Sequence, residues 1–329
     1  MKLQDGRTRI AGLGSALVDI LVHESDDFVR RMGFEKGGMT LVDMPALDKI
    51  LDYVSSKPVI VPGGSACNTA VGVGRLGGRA RFVGKRGDDD TGRFFHNALA
   101  KRGVDPLLMT STLPTGRVLS IITPDAQRTM LTYLGASADT QPEEITPDCF
   151  TECAVVHIEG YLLFNPDLML ASLEAAKAAG ALISLDLASF TVVEQSKIVL
   201  DEIIERYVDI LIANEDEALA YTGHKDEIRA LDRLATHVRI AALKVGARGS
   251  YIQNSAGVHR IPAQGAGSAI DTTGAGDLWA AGFLFGLVNG YSHQRSGRLA
   301  SACGFEVCQV IGADIPDEGW TRIKRKMEE

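Results

Sequence analysis

The sequence predicts an α/β fold: a three-layer αβα core around a mostly parallel sheet, with a small β-sheet lid beside it. Two observations carry the prediction. Short apolar, β-rich runs alternate with amphipathic helical stretches along most of the chain, and two further apolar runs fall outside that rhythm. Strands joined by helices need right-handed crossovers, which lay the strands parallel and cover both faces of the sheet. Of the 329 residues 45% are hydrophobic and 23% charged, enough apolar material for one large core. No Pro/Ser/Gly-rich linker or like-charge block divides the chain, so one core with insertions is expected rather than two halves.

Strands are expected at Arg9 to Leu13, Val59 to Val61, Ala80 to Val83, Ala154 to Ile158, Leu182 to Leu185, Asp209 to Ile212 and Ile240 to Val245. Between them, Pro166 to Ala179 and Ser196 to Arg206 repeat apolar residues at helical spacing. Two regions break the alternation. Gly37 to Val42 has no helix before it, and Arg117 to Thr123 and Thr129 to Leu134 flank a Pro124-Asp-Ala-Gln turn, as a hairpin would. Together they predict a small sheet, with an edge hairpin of the main sheet as the alternative. The expected division puts residues 1–14, 46–106 and 137–329 in the core and residues 15–45 and 107–136 in the lid. Long helical patterns, Gly274 to Val288 and Ser292 to Ile311, close the chain.

Charge and cysteines exclude several classes. The formal net charge is -8 and the basic residues are scattered, apart from Arg322 to Lys326, so no footprint for a nucleic-acid backbone exists. An anionic ligand must be held locally, by backbone N–H groups and a few basic side chains. The five cysteines are odd in number and form no CxxC pair, which predicts reduced thiols rather than a disulfide frame or a zinc site. Met1 to Arg7 lacks an apolar signal core and no stretch reaches the length of a membrane span, so a cytoplasmic protein is expected.

Residues 271 to 285 read Asp-Thr-Thr-Gly-Ala-Gly-Asp-Leu-Trp-Ala-Ala-Gly-Phe-Leu-Phe, a polar turn running into an apolar helix. The first N–H groups of a helix are unpaired, and small residues at Gly274, Ala275 and Gly276 let a phosphate approach them. Asp277 is the anomaly, since it should repel that anion. The conflict resolves if its carboxylate takes a proton from an incoming hydroxyl while the amides stabilise a transferring phosphoryl. The plainer reading is an acid that complements the helix dipole. Residues 62 to 70, Pro-Gly-Gly-Ser-Ala-Cys-Asn-Thr-Ala, follow a strand and precede a helical stretch. Paired glycines clear the turn for a ligand, and Asn68 can both donate to and accept from a hydroxyl, which suits a polyol.

Gly63-Gly64-Ser-Ala-Cys-Asn68 with Gly74, Gly77 and Gly84, joined to Asp271-Thr-Thr-Gly-Ala-Gly-Asp277 some two hundred residues on, resembles the two signatures of the ribokinase or PfkB carbohydrate kinase family. Gly87-Asp88, Asn214-Glu-Asp-Glu217 and Gly246-Ala-Arg-Gly249 extend the likeness over nearly the whole chain. The resemblance implies a ribokinase-like fold and an ATP-dependent kinase of a primary alcohol on a sugar or nucleoside. It implies that Asp277 is the base and that Gly274, Ala275 and Gly276 form the anion hole. Asp19, Gly63, Gly64 and Asn68 would grip the acceptor. Asn214 and Glu217 would organise magnesium, Glu217 through water, and the same two residues fit a capping box. Lys244, Gly246, Arg248 and Gly249 would lie against ATP, and Asp271 and Thr273 mark a potassium site held largely through backbone carbonyls. Relatives are monomers or homodimers, and the sequence does not choose between them.

The acceptor is open at this stage. The form of the first signature and the Thr123 to Met130 hairpin lean toward an adenosine-kinase-like branch. Phe34, Met39, Tyr133, Tyr161 and Phe164 are candidates for a base slot. A ketose or sugar-acid kinase is the alternative, with Arg117 for a carboxylate. Two readings of other classes remain: a nucleotide-binding regulatory protein without turnover, and a dinucleotide-dependent oxidoreductase suggested by Gly72-Val-Gly-Arg-Leu-Gly77. That last GxGxxG lies about two helical turns past its strand and has no acidic residue ending a second strand, so its glycines read as helix close-packing positions. No P-loop motif occurs.

Overall fold

In a computed structural model, which describes residues 6–125, 127–265 and 269–328, the chain builds two sheets. Its first part runs β1 (Arg9–Leu13), β2 (Leu17–His23), α1 (Asp26–Met32), β3 (Met39–Leu41), α2 (Met44–Leu51), β4 (Val59–Gly63), α3 (Ser65–Arg75), β5 (Ala80–Gly87), α4 (Asp90–Lys101) and β6 (Val104–Ser111). The hairpin is β7 (Gly116–Ile122) and β8 (Arg128–Tyr133), followed by β9 (Cys153–Glu159), α5 (Pro166–Ala178), β10 (Leu182–Asp186), α6 (Phe190–Tyr207) and β11 (Ile210–Asn214). Then come α7 (Glu215–Thr222), α8 (Glu227–Leu234), β12 (Ile240–Lys244), β13 (Ser250–Asn254), β14 (Gly257–Ile261), α9 (Ala275–Val288), α10 (His293–Val307) and α11 (Asp317–Glu328). Ala126, inside the expected hairpin turn, and Met1 to Asp5 lie outside the described residues.

The main sheet has nine strands in the order β14-β13-β12-β11-β10-β9-β1-β5-β6, parallel from β12 to β6 and antiparallel at its β13–β14 edge. One face carries α3, α4, α9, α10 and α11 through Phe82, Phe95, Leu278 and Phe283; the other carries α5 to α8 through Val156, Leu173, Leu200 and Leu231. This is the predicted three-layer core. From Leu278 to Val288 every residue of α9 is buried, as an all-apolar helix must be inside a core. Two of the GxGxxG glycines serve close packing: a Cβ on Gly72 would come 2.5 Å from Ala281 Cβ on α9 and one on Gly74 2.6 Å from Arg102 O, whereas Gly77, beyond the end of α3 at φ 91, meets nothing within 4 Å.

The second sheet has five strands, β3-β8-β7-β2-β4, over its own apolar cluster of Phe28, Val29, Leu47, Leu119, Ile121 and Leu131 with α1 and α2. Two expectations change here. The Val59 strand does not join the main sheet but pairs antiparallel with β2 as an edge strand, with Val59 55% and Ile60 54% exposed. Residues 107–111, expected in the lid, are the end of β6 and pair with β5 in the main sheet. A short apolar run carries no mark of which sheet receives it, so periodicity alone could not separate the two.

Candidate active site

Five strands of the main sheet end at one place. Gly14 after β1, Glu159 on β9, Asp186 on β10, Asn214 on β11 and Lys244 on β12 line a cavity of about 740 Å³. Parallel sheets bind ligands outside the carboxyl ends of their strands. The facing wall is the second sheet, through Asp19, Met39, Leu41, Val118, Arg128, Met130 and Thr132. Strand alternation selects these side chains, since Ile20, Leu119 and Leu131 between them point into the sheet's own core.

Asp277 sits in the first turn of α9 and joins the two signatures. Its carboxylate accepts from Ser65 Oγ at 2.8 Å and from Asn68 Nδ2 at 2.9 Å, and its carbonyl accepts from Thr69 Oγ1 at 3.1 Å. Burial pushes its pKa above the ordinary aspartate value, with Asn68 and Ser65 pulling it partly back. Gly274 takes φ 72 as the N-cap, a left-handed turn that glycine adopts without strain. The Ala275 amide donates to the Thr272 carbonyl at 3.1 Å, and Leu278 N to Gly274 O at 2.8 Å. Among the described residues, the amides of Gly274, Gly276 and Asp277 have no acceptor. Of the three residues expected to form an anion hole, Gly274 and Gly276 keep amides without an acceptor there, Ala275 does not, and Asp277 adds another.

On the acceptor side, Asp19 faces the cavity and is pushed up to about 6 by burial, against Arg128 and with help from Asp277. A Cβ on Gly63 would lie 2.3 Å from its carboxyl carbon, and one on Gly64, at φ 97, would strike Ser15 O at 2.4 Å. Both glycines are therefore required by close approach. Glu159, which the sequence reading missed, ties this region together: its carboxylate accepts Ser15 N at 2.8 Å and Ala66 N at 3.0 Å, and burial raises it to about 7. Met39, Tyr161 and Phe164 line the cavity, whereas Phe34 and Tyr133 pack into the second sheet's core. Arg117 is elsewhere, near Asp48 and Thr91.

At the other end, Asn214 and Glu217 form a full capping box on α7. Asn214 Oδ1 accepts Glu217 N at 2.9 Å, Glu217 Oε2 accepts Asn214 N at 2.7 Å, and Asn214 Nδ2 donates to Glu217 Oε1 at 2.6 Å. Burial, then Asp186, lift Glu217 to about 7. Lys244 Nζ donates to Asp186 Oδ2 at 2.8 Å, and a Cβ on Gly276 would come 2.9 Å from that nitrogen. Burial pulls Lys244 down, but Asp186 and Glu217 outweigh it and its pKa ends raised.

Other expected residues are not brought to the cavity. Arg248 is at the surface, paired with Glu215 and, at 2.6 Å, with Glu227. Gly249, at φ 100, is needed by the β12–β13 turn, where a Cβ would lie 2.0 Å from Ile261 O; Gly246, at φ 53, opens that turn. Asp271 has its oxygens filled by donors: Thr273 N at 2.9 Å, Thr273 Oγ1 at 2.7 Å and Gly312 N at 2.8 Å. It is a staple between the α9 turn and the loop after α10. Thr273 also accepts from Arg128 Nη1 at 2.7 Å. Among the described residues no group of three or more His, Cys, Asp or Glu is placed to hold a metal directly, and no helix is long and apolar enough to cross a membrane. The missed acids had a readable signal, since Glu159 and Asp186 each end an apolar strand of the parallel sheet.

Comparison with known proteins agrees with this fold. The family described as pfkB family carbohydrate kinase matches residues 47–319. A fructokinase from Klebsiella pneumoniae is 32% identical over 265 residues, 77% of this chain and 84% of that protein. An adenosine kinase structure from Sinorhizobium meliloti superposes with a TM-score of 0.89 at 33% identity, covering 97% of this chain and 99% of that one. A probable sugar kinase from Rhizobium etli gives 0.89 at 30% identity, covering 97% and 98%.

Proposed function

Because the chain belongs to the pfkB family of carbohydrate kinases, which makes it a sugar or nucleoside phosphotransferase, we propose that it moves the γ-phosphoryl of ATP to a primary alcohol of a nucleoside. The observation that carries this reading is Asp277, whose carboxylate is held by Ser65 and Asn68 from the paired-glycine turn while its own amide and those of Gly274 and Gly276 have no acceptor among the described residues. Asp277 accepts the proton of the attacking hydroxyl, and these amides take up charge on the transferred oxygens. Asp19, Gly64 and Asn68 orient the acceptor. The apolar wall of Met39, Leu41, Met130, Leu134, Phe164 and Leu168 suits a nucleobase better than it suits a bare polyol. The adenosine kinase at 33% identity supports the nucleoside reading.

Magnesium fits the nucleotide end by donor chemistry. Glu217 is a buried hard-oxygen donor at the cavity, and with its oxygens bonded to Asn214 it is suited to hold the ion through water. When bound, the ion neutralises charge on the β- and γ-phosphates. The Asp271 side chain already accepts from three donors, so a potassium ion there would be held through backbone carbonyls, as the resemblance implies. A ketose kinase is the second reading, favoured by the fructokinase relative at 32% identity.

The test is ADP release across nucleosides, pentoses, hexoses and sugar acids, with and without potassium. Turnover on nucleosides supports the proposal, and turnover confined to hexoses moves the assignment to the ketose reading. Asp277→Asn is expected to lose about 10²–10⁴ in kcat while still binding ATP. A variant that keeps near-normal kcat removes Asp277 from the role of base.

A further inference from the structure

Asp186 has no part in the roles above, yet both of its oxygens are committed. Oδ2 accepts Lys244 Nζ at 2.8 Å, and Oδ1 accepts Ala188 N at 3.0 Å. Ala188 holds φ 63, a left-handed conformation that a non-glycine residue keeps only where its surroundings impose it, and such residues gather at functional sites. Ala188 lines the same cavity as Asp186 and Lys244. The pair is largely buried, with side-chain exposures of 7% for Asp186 and 13% for Lys244.

Lysine is a point charge on a flexible four-carbon stem. Three acids from three elements surround this one: Asp186 from β10, Glu217 from α7 and Asp277 from α9. His157 on β9 is buried, within hydrogen-bond distance of Ser184 Oγ at 3.0 Å, and held near pKa 4 chiefly by that burial, so it adds no competing charge. If the ammonium collapsed onto Asp277, it would occupy the carboxylate that must accept a proton. Gly276 has no side chain at the point where one would meet Lys244 Nζ, so the ammonium lies beside Gly276, whose amide has no acceptor among the described residues.

Resting on the phosphotransfer reading above, we infer that Asp186 is a positioning residue: anchored by the Ala188 turn, it holds Lys244 at the Gly276 amide, where the phosphoryl passes, and away from the Asp277 base. Lys244 then touches the transferring oxygens, while Asp186 acts only through Lys244. A buried ion pair need not stabilise the fold, because desolvation offsets much of its attraction. Its retention beside the base is better explained by where it puts the charge.

Steady-state kinetics and thermal unfolding of Asp186→Asn, Lys244→Met and the double variant test this, with ATP and the best acceptor from the screen. Lys244→Met is expected to lower kcat by about 10²–10³, the range for one transition-state charge contact. Asp186→Asn is expected to lower kcat by roughly 10- to 100-fold, with acceptor KM within about twofold. The double variant should be no slower than Lys244→Met alone, because the two residues act as one unit. It should also recover most of the melting temperature lost in the single variants, since no orphan charge is left buried. Recovered stability without recovered kcat separates positioning from folding. Asp186→Asn with kcat within about twofold of wild type, or losses that multiply in the double variant, would overturn the inference. A wild-type enzyme that transfers nothing from ATP would instead sink the reading it rests on.

Discussion

At the scale of single residues, the two acids that face the cavity, Asp277 and Asp19, have different surroundings. Asp277 has two side-chain donors, while Asp19 has none among the described residues and has only the nearby charge of Arg128 set against burial. An acid held near 6 must lose its proton to accept from acceptor hydroxyls. Acceptor kcat/KM should therefore rise with pH through about 6, and Asp19→Asn should flatten that limb while raising KM. A wild-type profile level between pH 5 and 8 would rule this out. The stability sign is opposite. A carboxyl whose folded pKa is raised from 3.8 to about 6 contributes stability that is fully present below 3.8 and lost as pH rises through 6. At pH 8 Asp19→Asn should thus melt no lower than wild type, and a clear loss would show that the carboxylate is structurally needed. Asp271 shows where reading by position stops. Its place in the second signature was legible, but its saturation by Thr273 and Gly312 depends on a loop forty-one residues away.

Elements differ in how much the sequence declared. The helix α9 was legible to within a residue, because a polar glycine turn before an unbroken apolar run has few other folds open to it. The parallel strands were legible by composition. The strand β2 was not, since Leu17 to His23 follows β1 after only three residues and its alternation is interrupted by consecutive apolar side chains. The hairpin was recognised but its first residue on the return strand was not. Arg128 opens β8, lies half-buried at the cavity and donates to Thr273 Oγ1, whose hydroxyl donates on to Asp271. A guanidinium there links the second sheet to the α9 turn and places positive charge near both Asp19 and the free amides. Arg128→Met should lower kcat/KM about 10- to 100-fold, as loss of one charged contact to the reacting groups does. Arg128→Lys should recover little, because an ammonium cannot reproduce the planar fork. Unchanged kinetics in Arg128→Met would leave the residue as a surface tie.

Over the whole molecule, the site lies between two bodies with separate cores. The main sheet is flanked by two apolar clusters, whereas the second sheet rests on a much smaller one around Phe28, Leu47 and Leu131. The polar lining of the cavity is shared out accordingly: Asp277, Lys244 and Glu217 stand on the main sheet's side, and Asp19 and Arg128 on the other. A small cluster opens at lower free energy than a large one, so the second sheet is expected to exchange its amides faster than β9 to β12. Leu47 is fully buried in α2, and Leu47→Ala should cost about 2–5 kcal/mol, charged to that cluster alone. Hydrogen exchange should then accelerate in β2, β7 and β8 while β9 to β12 keep wild-type protection. Acceptor KM should rise and nucleotide affinity hold, because Lys244 and the α9 amides do not depend on α2. If exchange instead accelerates evenly through both sheets, the molecule unfolds as one unit and the acceptor wall is no more mobile than the rest.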